Sequence, residues 1–418
     1  TRDLDLAIKS FAAVGIVTGG LLAIMRNGCV IYQRGFGWHD EGESVSMPEN
    51  ALVRIASCNK PITAAAIRQL ISADEFELTD DAFDVGQPGG GVLNVTPWPS
   101  LGDTRIDDVT IDNLLRHRGG WDRGIVGDWT YRECDIADDM GVASPPGRSR
   151  TINWILGNAL QHSPGTQYAY SNIGYLALGL IVEQVSGQSH ITYLRQNVLT
   201  PEMWVPSVNF RQGRTFKADQ PAREAYYNAG SNTCVFDSVC GACGLVFVDA
   251  PYGSWDHEAR IGQGGIVLSP ETMLEFLNRY RVGITGSIGQ PLDPNNLVDE
   301  SHNGALRGVN SLAWQRPDGV NVFIWFNEDP ASGHHGENVK DLLDPLLDAQ
   351  VNWPTLCVDG FWVAPFLLPY RFFGSYNSEF NGVANALSET TDGAKLNFKP
   401  GDFVWTGTIN ERTLLRAP

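Results

Sequence analysis

Residues 54–71 read RIASCNKPITAAAIRQLI, and the spacing of Ser57, Lys60 and Pro61 within them decides how the whole chain is read. After Pro61 the apolar residues fall at Ile62, Ala66, Ile67, Leu70 and Ile71, which is helical spacing with one buried face. Proline is tolerated in a helix's first turn, where the backbone N–H has no partner inside the helix. The helix is therefore expected to start near Ser57. Ser57 and Lys60 then share a face at the positive end of the helix dipole. That end disfavours an ammonium, so Lys60 is expected to have a lowered pKa and to serve as a base. A backbone N–H at the same end can stabilise a developing oxyanion. A serine beside such a lysine reads as an activated nucleophile. An ordinary N-cap serine followed by a solvated lysine would give the same letters. The weight of the pair depends on the rest of the chain.

The 418 residues suit one large domain or two to three smaller ones, with a globular composition and no low-complexity tract. The net charge of −18 and the lack of a Lys/Arg cluster argue against nucleic acid and against an anionic membrane surface as partners. No apolar run approaches the length of a membrane span. The chain opens at Thr1 without a charged and then apolar leader, so it is expected to be a processed or trimmed form, and its location extracellular or periplasmic. Seven cysteines leave at least one thiol unpaired if the others form disulfides, and Cys58, next to Ser57, is the best candidate for it. The cluster CVFDSVCGAC, residues 234–243, lacks a second close pair and reads as disulfides or buried thiols rather than zinc. No metal or cofactor is expected.

Residues 20–38 read as two strands around the turn at Arg26-Asn27-Gly28. Residues 80–110, rich in Gly, Pro and Asp, read as a long loop. Helices are expected from Ile111 to Gly119, over roughly 151–161, from about Ile173 to Gly187, after a Ser269 cap, and over about 337–349. Two strands, NSLAWQR and GVNVFIWFNE, flank the turn at Pro317-Asp318-Gly319. Strands, then helices, then strands again is the pattern of a sheet completed by both chain ends with a helical region inserted. The sheet region is expected at about 1–56 and 260–349, the helical region at about 57–259. Residues 350–418 are aromatic, Gly-rich and strand-like, and read as an extension of unknown role.

Two further constellations follow in order. Tyr170-Ser171-Asn172 opens a helix, and His302-Asn303-Gly304 precedes the late strands. Tyr170 offers a phenol able to shuttle protons. Asn172 offers an amide for a substrate carbonyl, or an N-cap. His302 offers a hydrogen bond to substrate or to Tyr170 and, if protonated, a charge for a carboxylate. Gly304 permits close backbone approach. His117 reads as structural. Trp98, Trp121, Trp129 and Tyr168 are candidates for lining a cleft, although large aromatics more often pack in the core.

Ser57-x-x-Lys60, Tyr170-x-Asn172 and His302-x-Gly304, with the flanks LLRHRGGW, SPGTQYAYSNIGYLALGLIVEQVSG and GQGGIVLSPETMLEF, resemble the serine β-lactamase and penicillin-binding-protein superfamily over about residues 5–349. Class C β-lactamases, D-alanyl-D-alanine carboxypeptidases and family VIII carboxylesterases look most alike. The resemblance implies an α/β (α+β) fold, with a mostly antiparallel sheet flanked by helices, an inserted helical region and the active site between them. It implies Ser57, Lys60 and Tyr170 as catalytic residues and the N–H groups of Ser57 and Ala305 as an oxyanion hole. Class C β-lactamases carry lysine where this chain has His302; histidine there is commoner among the peptidases, amidases and esterases. The expected activity is that of a serine hydrolase on a small ester or amide, through an acyl-enzyme, with ester favoured. The alternatives are a D-amino-acid peptidase or carboxypeptidase, a β-lactamase, an acyltransferase, and a noncatalytic β-lactam sensor. The absence of Gly-x-Ser-x-Gly argues against an α/β-hydrolase. Specificity is expected to lie in loops 80–110 and 205–260.

Overall fold

A computed structural model describes residues 2–15, 17–199, 207–229, 232–236, 246–283, 286–328, 334–350 and 353, and, further on, the backbone of several short strands. The central sheet has five strands: β1 (Gly19–Arg26), β2 (Cys29–Gly37), β3 (Glu300–Leu306), β4 (Val309–Gln315) and β5 (Val320–Phe326). Their order is β3-β4-β5-β1-β2, every pair antiparallel. The two chain ends thus complete one sheet, as the pattern of strands predicted. The Asn27-Gly28 turn has both residues at positive φ, the backbone that favours these two residue types.

The segment GLLAIM in β1 is apolar without alternation because both faces of the sheet are covered. Leu21, Ala23 and Met25 face one core, shared with helix α2 (Lys60–Ser72) and helix α3 (Asn172–Ser186). Leu22 and Ile24 face a second core on the other side. That second core packs on a helix at each end of the body, Arg2–Gly15 and His335–Asp348, through Ile8, Val339, Leu343 and Leu347. The first of these two helices was absent from the sequence reading, although Leu4, Ala7, Ile8 and Phe11 give it an apolar stripe at helical spacing.

Several helix ends differ from expectation. The helix expected to end at Gly119 stops at Leu115, because His117 turns to a φ of 56°. The helix expected over 151–161 runs Gly147–Leu156, with Pro146 at its N-cap; proline just before or inside the first turn costs no intrahelical hydrogen bond. Ser269 stands at the N-cap of Pro270–Leu277, but its hydroxyl meets Thr272 Oγ1 at 3.2 Å instead of capping a backbone N–H. Residues 80–110 hold two-residue strands at Phe83–Asp84 and Leu93–Asn94 and a short 3₁₀ turn.

Cys29, Cys134 and Cys234 are disulfide-bonded, and Cys58 is free and buried, as its place beside Ser57 suggested. Beyond residue 350 the backbone forms a four-strand antiparallel meander between residues 357 and 381, in keeping with the strand-like composition there. No helix among the described residues is long and apolar enough to cross a membrane.

Candidate active site

Ser57 sits in a 3₁₀ turn, Ala56–Asn59, that leads into α2 at Lys60. The α-helix therefore begins three residues later than expected. The tighter turn has a purpose, since 3₁₀ geometry eclipses side chains at i and i+3. Lys60 Nζ lies 3.0 Å from Ser57 Oγ. Ala56 is held at a φ of 47°, in the left-handed region, so the backbone pivots sharply just before the serine.

Lys60 is fully buried. Its Nζ donates to the carbonyl of Gln263 at 3.0 Å. The two preceding carbonyls take donors from either side of Lys60: Asn59 Nδ2, in the turn, donates to Ile261 O at 2.8 Å and Thr63 Oγ1, in α2, to Gly262 O at 2.7 Å. Residues 261–263 thus form a rail along the start of α2. Gly262 permits it, since a Cβ there would lie 2.4 Å from Tyr175 O on α3. Burial pulls the Lys60 pKa down to about 7; Asp128 opposes the shift and Arg123 adds to it.

Tyr170 reaches in from the loop before α3. Its hydroxyl donates to Ser57 Oγ at 2.8 Å. Burial pushes its pKa up to about 12, so the phenol keeps its proton at rest. The ring stacks on His117, centroids 4.4 Å apart and 26° between planes. His117 Nδ1 accepts from the Ser171 backbone N–H at 3.1 Å. His117 thus braces Tyr170 from behind, a positioning role in keeping with its structural reading. A short LLRHRGGW segment gave no sign that the histidine would meet a tyrosine more than fifty residues later.

On β3, His302 and Gly304 point to the same side, towards α2. A Cβ at Gly304 would lie 3.0 Å from Ser57 N and 2.4 Å from Ile55 O, so only glycine lets the strand edge lie against the turn. Ala305 and Ser57 both line the cleft. His302 is buried, with Nδ1 2.9 Å from Asn303 O and Nε2 unpartnered among the described residues. Burial pulls its pKa down to about 3, with Lys60 adding to the shift. Burial thus disfavours the protonated ring on which the carboxylate role of His302 depends. Among the described residues, no hydrogen bond joins it to Tyr170.

Asn172 opens α3, one residue past the N-cap Ser171, and lines the cleft. Its amide Nδ2 donates to Asp128 Oδ2 at 2.6 Å. Asp128 also accepts from Thr130 N at 3.1 Å and Thr130 Oγ1 at 2.7 Å. The cleft has a volume of about 820 Å³ and runs from Ser57 to Trp255. Residues 123–135 form one wall and residues 233–255 contribute to the other; none of residues 80–110 lines it. Of the two loops expected to hold specificity, parts of 205–260 thus line the cleft and 80–110 lies away from it. A buried ion pair, Arg260 to Glu133 at 2.7 Å, ties the first wall to the segment that carries the carbonyl rail. Trp121 and Trp129 are in the core and Trp98 packs against it, while Tyr168 is exposed beside His117.

Such an arrangement suits proton transfer. A neutral Lys60 amine has a lone pair for the Ser57 proton while it donates to Gln263 O. Ser57 Oγ meanwhile accepts from Tyr170. All three groups then point their hydrogens one way, and the serine oxygen is left ready to attack.

Comparison with known proteins agrees with the geometry. The Beta-lactamase family model matches residues 4–336. Among curated proteins, protein flp of Staphylococcus aureus (strain MRSA252) is 26% identical over 212 residues, 50% of this chain and 38% of that protein. Esterase EstB of Burkholderia gladioli is 28% identical over 195 residues, 44% of each. The matched stretch thus spans less than half the length of these curated relatives. Among solved structures, D-amino acid amidase from Ochrobactrum anthropi SV3, complexed with L-phenylalanine, shares the fold with a TM-score of 0.58 and 20% identity, over 83% of this chain and 98% of that one.

Proposed function

The chain belongs to the beta-lactamase family, and from that premise we propose that it is a serine hydrolase that cleaves a small ester through an acyl-enzyme on Ser57. One observation carries the reading: Ser57 Oγ is hydrogen-bonded at once by Lys60 Nζ, at 3.0 Å, and by Tyr170 OH, at 2.8 Å. Ser57 attacks the carbonyl and passes its proton to the neutral Lys60 amine. The oxyanion lies between the N–H groups of Ser57 and Ala305. Tyr170 gives its proton to the departing alkoxide and regains one from the Lys60 ammonium. Water then attacks the acyl ester, its proton going to Lys60, and Lys60 returns a proton to the Ser57 oxygen as the acid leaves. Asn172, His302 and Gly304 shape the substrate side of the cleft.

Ester is favoured over amide because a phenol with a pKa of about 12 is a weak proton donor. Alkoxides need less help to depart than amide nitrogens do. The same residues would serve an amidase or an acyltransferase with a different leaving group or acceptor. Disulfide bonding of Cys29, Cys134 and Cys234 supports an extracellular or periplasmic location. Residues 1–349 form the hydrolase domain in this reading, and residues 350–418 an extension outside the family match.

The test is covalent labelling by a fluorophosphonate, with the modified peptide identified by mass spectrometry. Label on Ser57, lost together with ester turnover in Ser57→Ala, is the expected result. Label on another serine, or turnover that survives Ser57→Ala, overturns the mechanism.

A further inference from the structure

Most charged side chains of the cleft already have polar partners. Arg132 pairs with Asp135 at 2.8 Å. Asp128 accepts from Asn172 and twice from Thr130. Arg307 donates to Ala229 O at 3.3 Å. Arg123 is the exception. It is exposed, lines the same cleft as Ser57, and makes no ion pair with any described residue. Its guanidinium carbon instead lies 4.5 Å from the centre of the Tyr170 ring. The ring holds the cation by its face, which leaves the guanidinium's N–H fork unspent. An uncommitted arginine within one ring of the nucleophile is out of keeping with a chain of net charge −18, in which carboxylates are plentiful. His302 is neutral and supplies no second charge for an anion.

We propose that Arg123 is a specificity-determining residue that reads a carboxylate on the substrate, so that the preferred esters are anionic, such as half-esters of a dicarboxylic acid. The inference rests on the hydrolase reading above. A guanidinium matches a carboxylate with two parallel N–H···O bonds, and charge-assisted pairs of this kind are about twice as strong as neutral ones. The three arginines lining the cleft outnumber the two aspartates, so the anion enters a locally favourable field despite the negative whole. The carboxylate stands a few bonds from the scissile ester, on the acyl or the alcohol side.

Two matched ester pairs test it. Mono-4-nitrophenyl adipate against 4-nitrophenyl hexanoate places the charge on the acyl side. 3-Carboxyphenyl hexanoate against 3-carbamoylphenyl hexanoate places it on the leaving side. The expected result is a preference of about tenfold or more in kcat/KM for the anionic member of one pair. In Arg123→Gln that preference falls to about threefold or less, mainly through KM. In Arg123→Lys, which keeps the charge and loses the fork, part of it returns. Arg132→Gln serves as the control, since Arg132 is already paired; there the preference persists. Equal turnover of both members in both pairs, or a preference that Arg123→Gln leaves intact, overturns the proposal while the hydrolase reading stands. No turnover of any ester, together with no fluorophosphonate label on Ser57, overturns the hydrolase reading and this proposal with it.

Discussion

The floor of the cleft and its mouth treat charge in opposite ways. On the floor, Lys60, His117 and His302 are basic groups stripped of water, and each has its pKa pulled down chiefly by burial. At the mouth, Arg123, Arg132 and Asp135 keep their solvent; Arg132 and Asp135 pair with each other, while Arg123 lies over the Tyr170 ring. Burial costs a charged group far more than a neutral one, so the three floor groups are pushed towards their neutral forms. The mouth can hold full charges because water shares the cost. Two residues span the two regimes: from the mouth, Asp128 raises the Lys60 pKa on the floor and Arg123 lowers it.

The largest effect is expected where the floor loses its base. Lys60→Arg keeps a proton at any practical pH, and Lys60→Met has no lone pair to offer. Both should slow fluorophosphonate acylation about 10³-fold. Lys60→Met guards against the case in which the larger arginine fails to fold, and its fold can be checked by circular dichroism. A folded Lys60→Met protein with near-native labelling would remove the base from the floor and with it the contrast between floor and mouth.

The second expectation concerns stability in acid. His302 has a pKa of about 3 in the folded protein against an ordinary value of 6.5. Its folded value is depressed, so below pH 6.5 the unfolded chain takes up a proton that the native ring refuses. Stability should therefore fall as pH drops from 6.5 towards 3. His302→Gln should gain on the wild type by about 3 kcal/mol between pH 6.5 and pH 4 in urea melts. Parallel pH dependence of the two proteins would mean that the ring is hydrated and the floor is not dry.

A smaller effect should link the regimes. A working Lys60 must be neutral, so activity should fall about tenfold per unit once the pH is below about 7. Asp128→Asn removes a charge that raises the Lys60 pKa, so the acid limb of kcat/KM should move to lower pH, by about one unit or less. Arg123→Gln removes a charge that lowers it, so the limb should move the other way. Limbs that stay put in both variants would show that the mouth does not tune the floor.

The smallest effect lies away from the cleft. Trp353, past the end of the body, packs against the second core, with the Arg26 guanidinium 4.7 Å from its ring centre. Trp353→Ala should cost about 1 kcal/mol in a denaturant melt and leave the acid limb unmoved. A loss of several kcal/mol would make the residues after 350 part of the main fold instead of an extension.

Much of the sheet was legible, because β1, β4 and β5 are apolar on both faces and their turns carry Asn-Gly and Pro-Asp-Gly. Helix ends were less so. Gly187 ends α3 in the left-handed conformation its residue type allows, whereas the stop at Leu115 depends on a histidine adopting a positive φ that its residue type does not announce. In the site, Ser57, Lys60 and Tyr170 could be picked out by motif, and they meet. The Gln263 carbonyl could not: a backbone acceptor has no letter of its own, and GQGG says only that the chain passes close to something.

The sequence by itself determined most of the strands and helices and singled out the serine, lysine and tyrosine of the candidate site, because periodicity, turn residues and an i, i+3 serine–lysine pair are local properties. The tertiary structure alone decided the protonation states and the neighbours. Lys60 is drawn down to about 7 and His302 to about 3 by water excluded from all sides, and burial of that kind is assembled from α2, α3, β3 and residues 261–263 together. The brace of His117 on Tyr170, the hold of Asn172 on Asp128 and the unpaired state of Arg123 join residues far apart in the chain. Such pairings follow from packing, which no local pattern encodes.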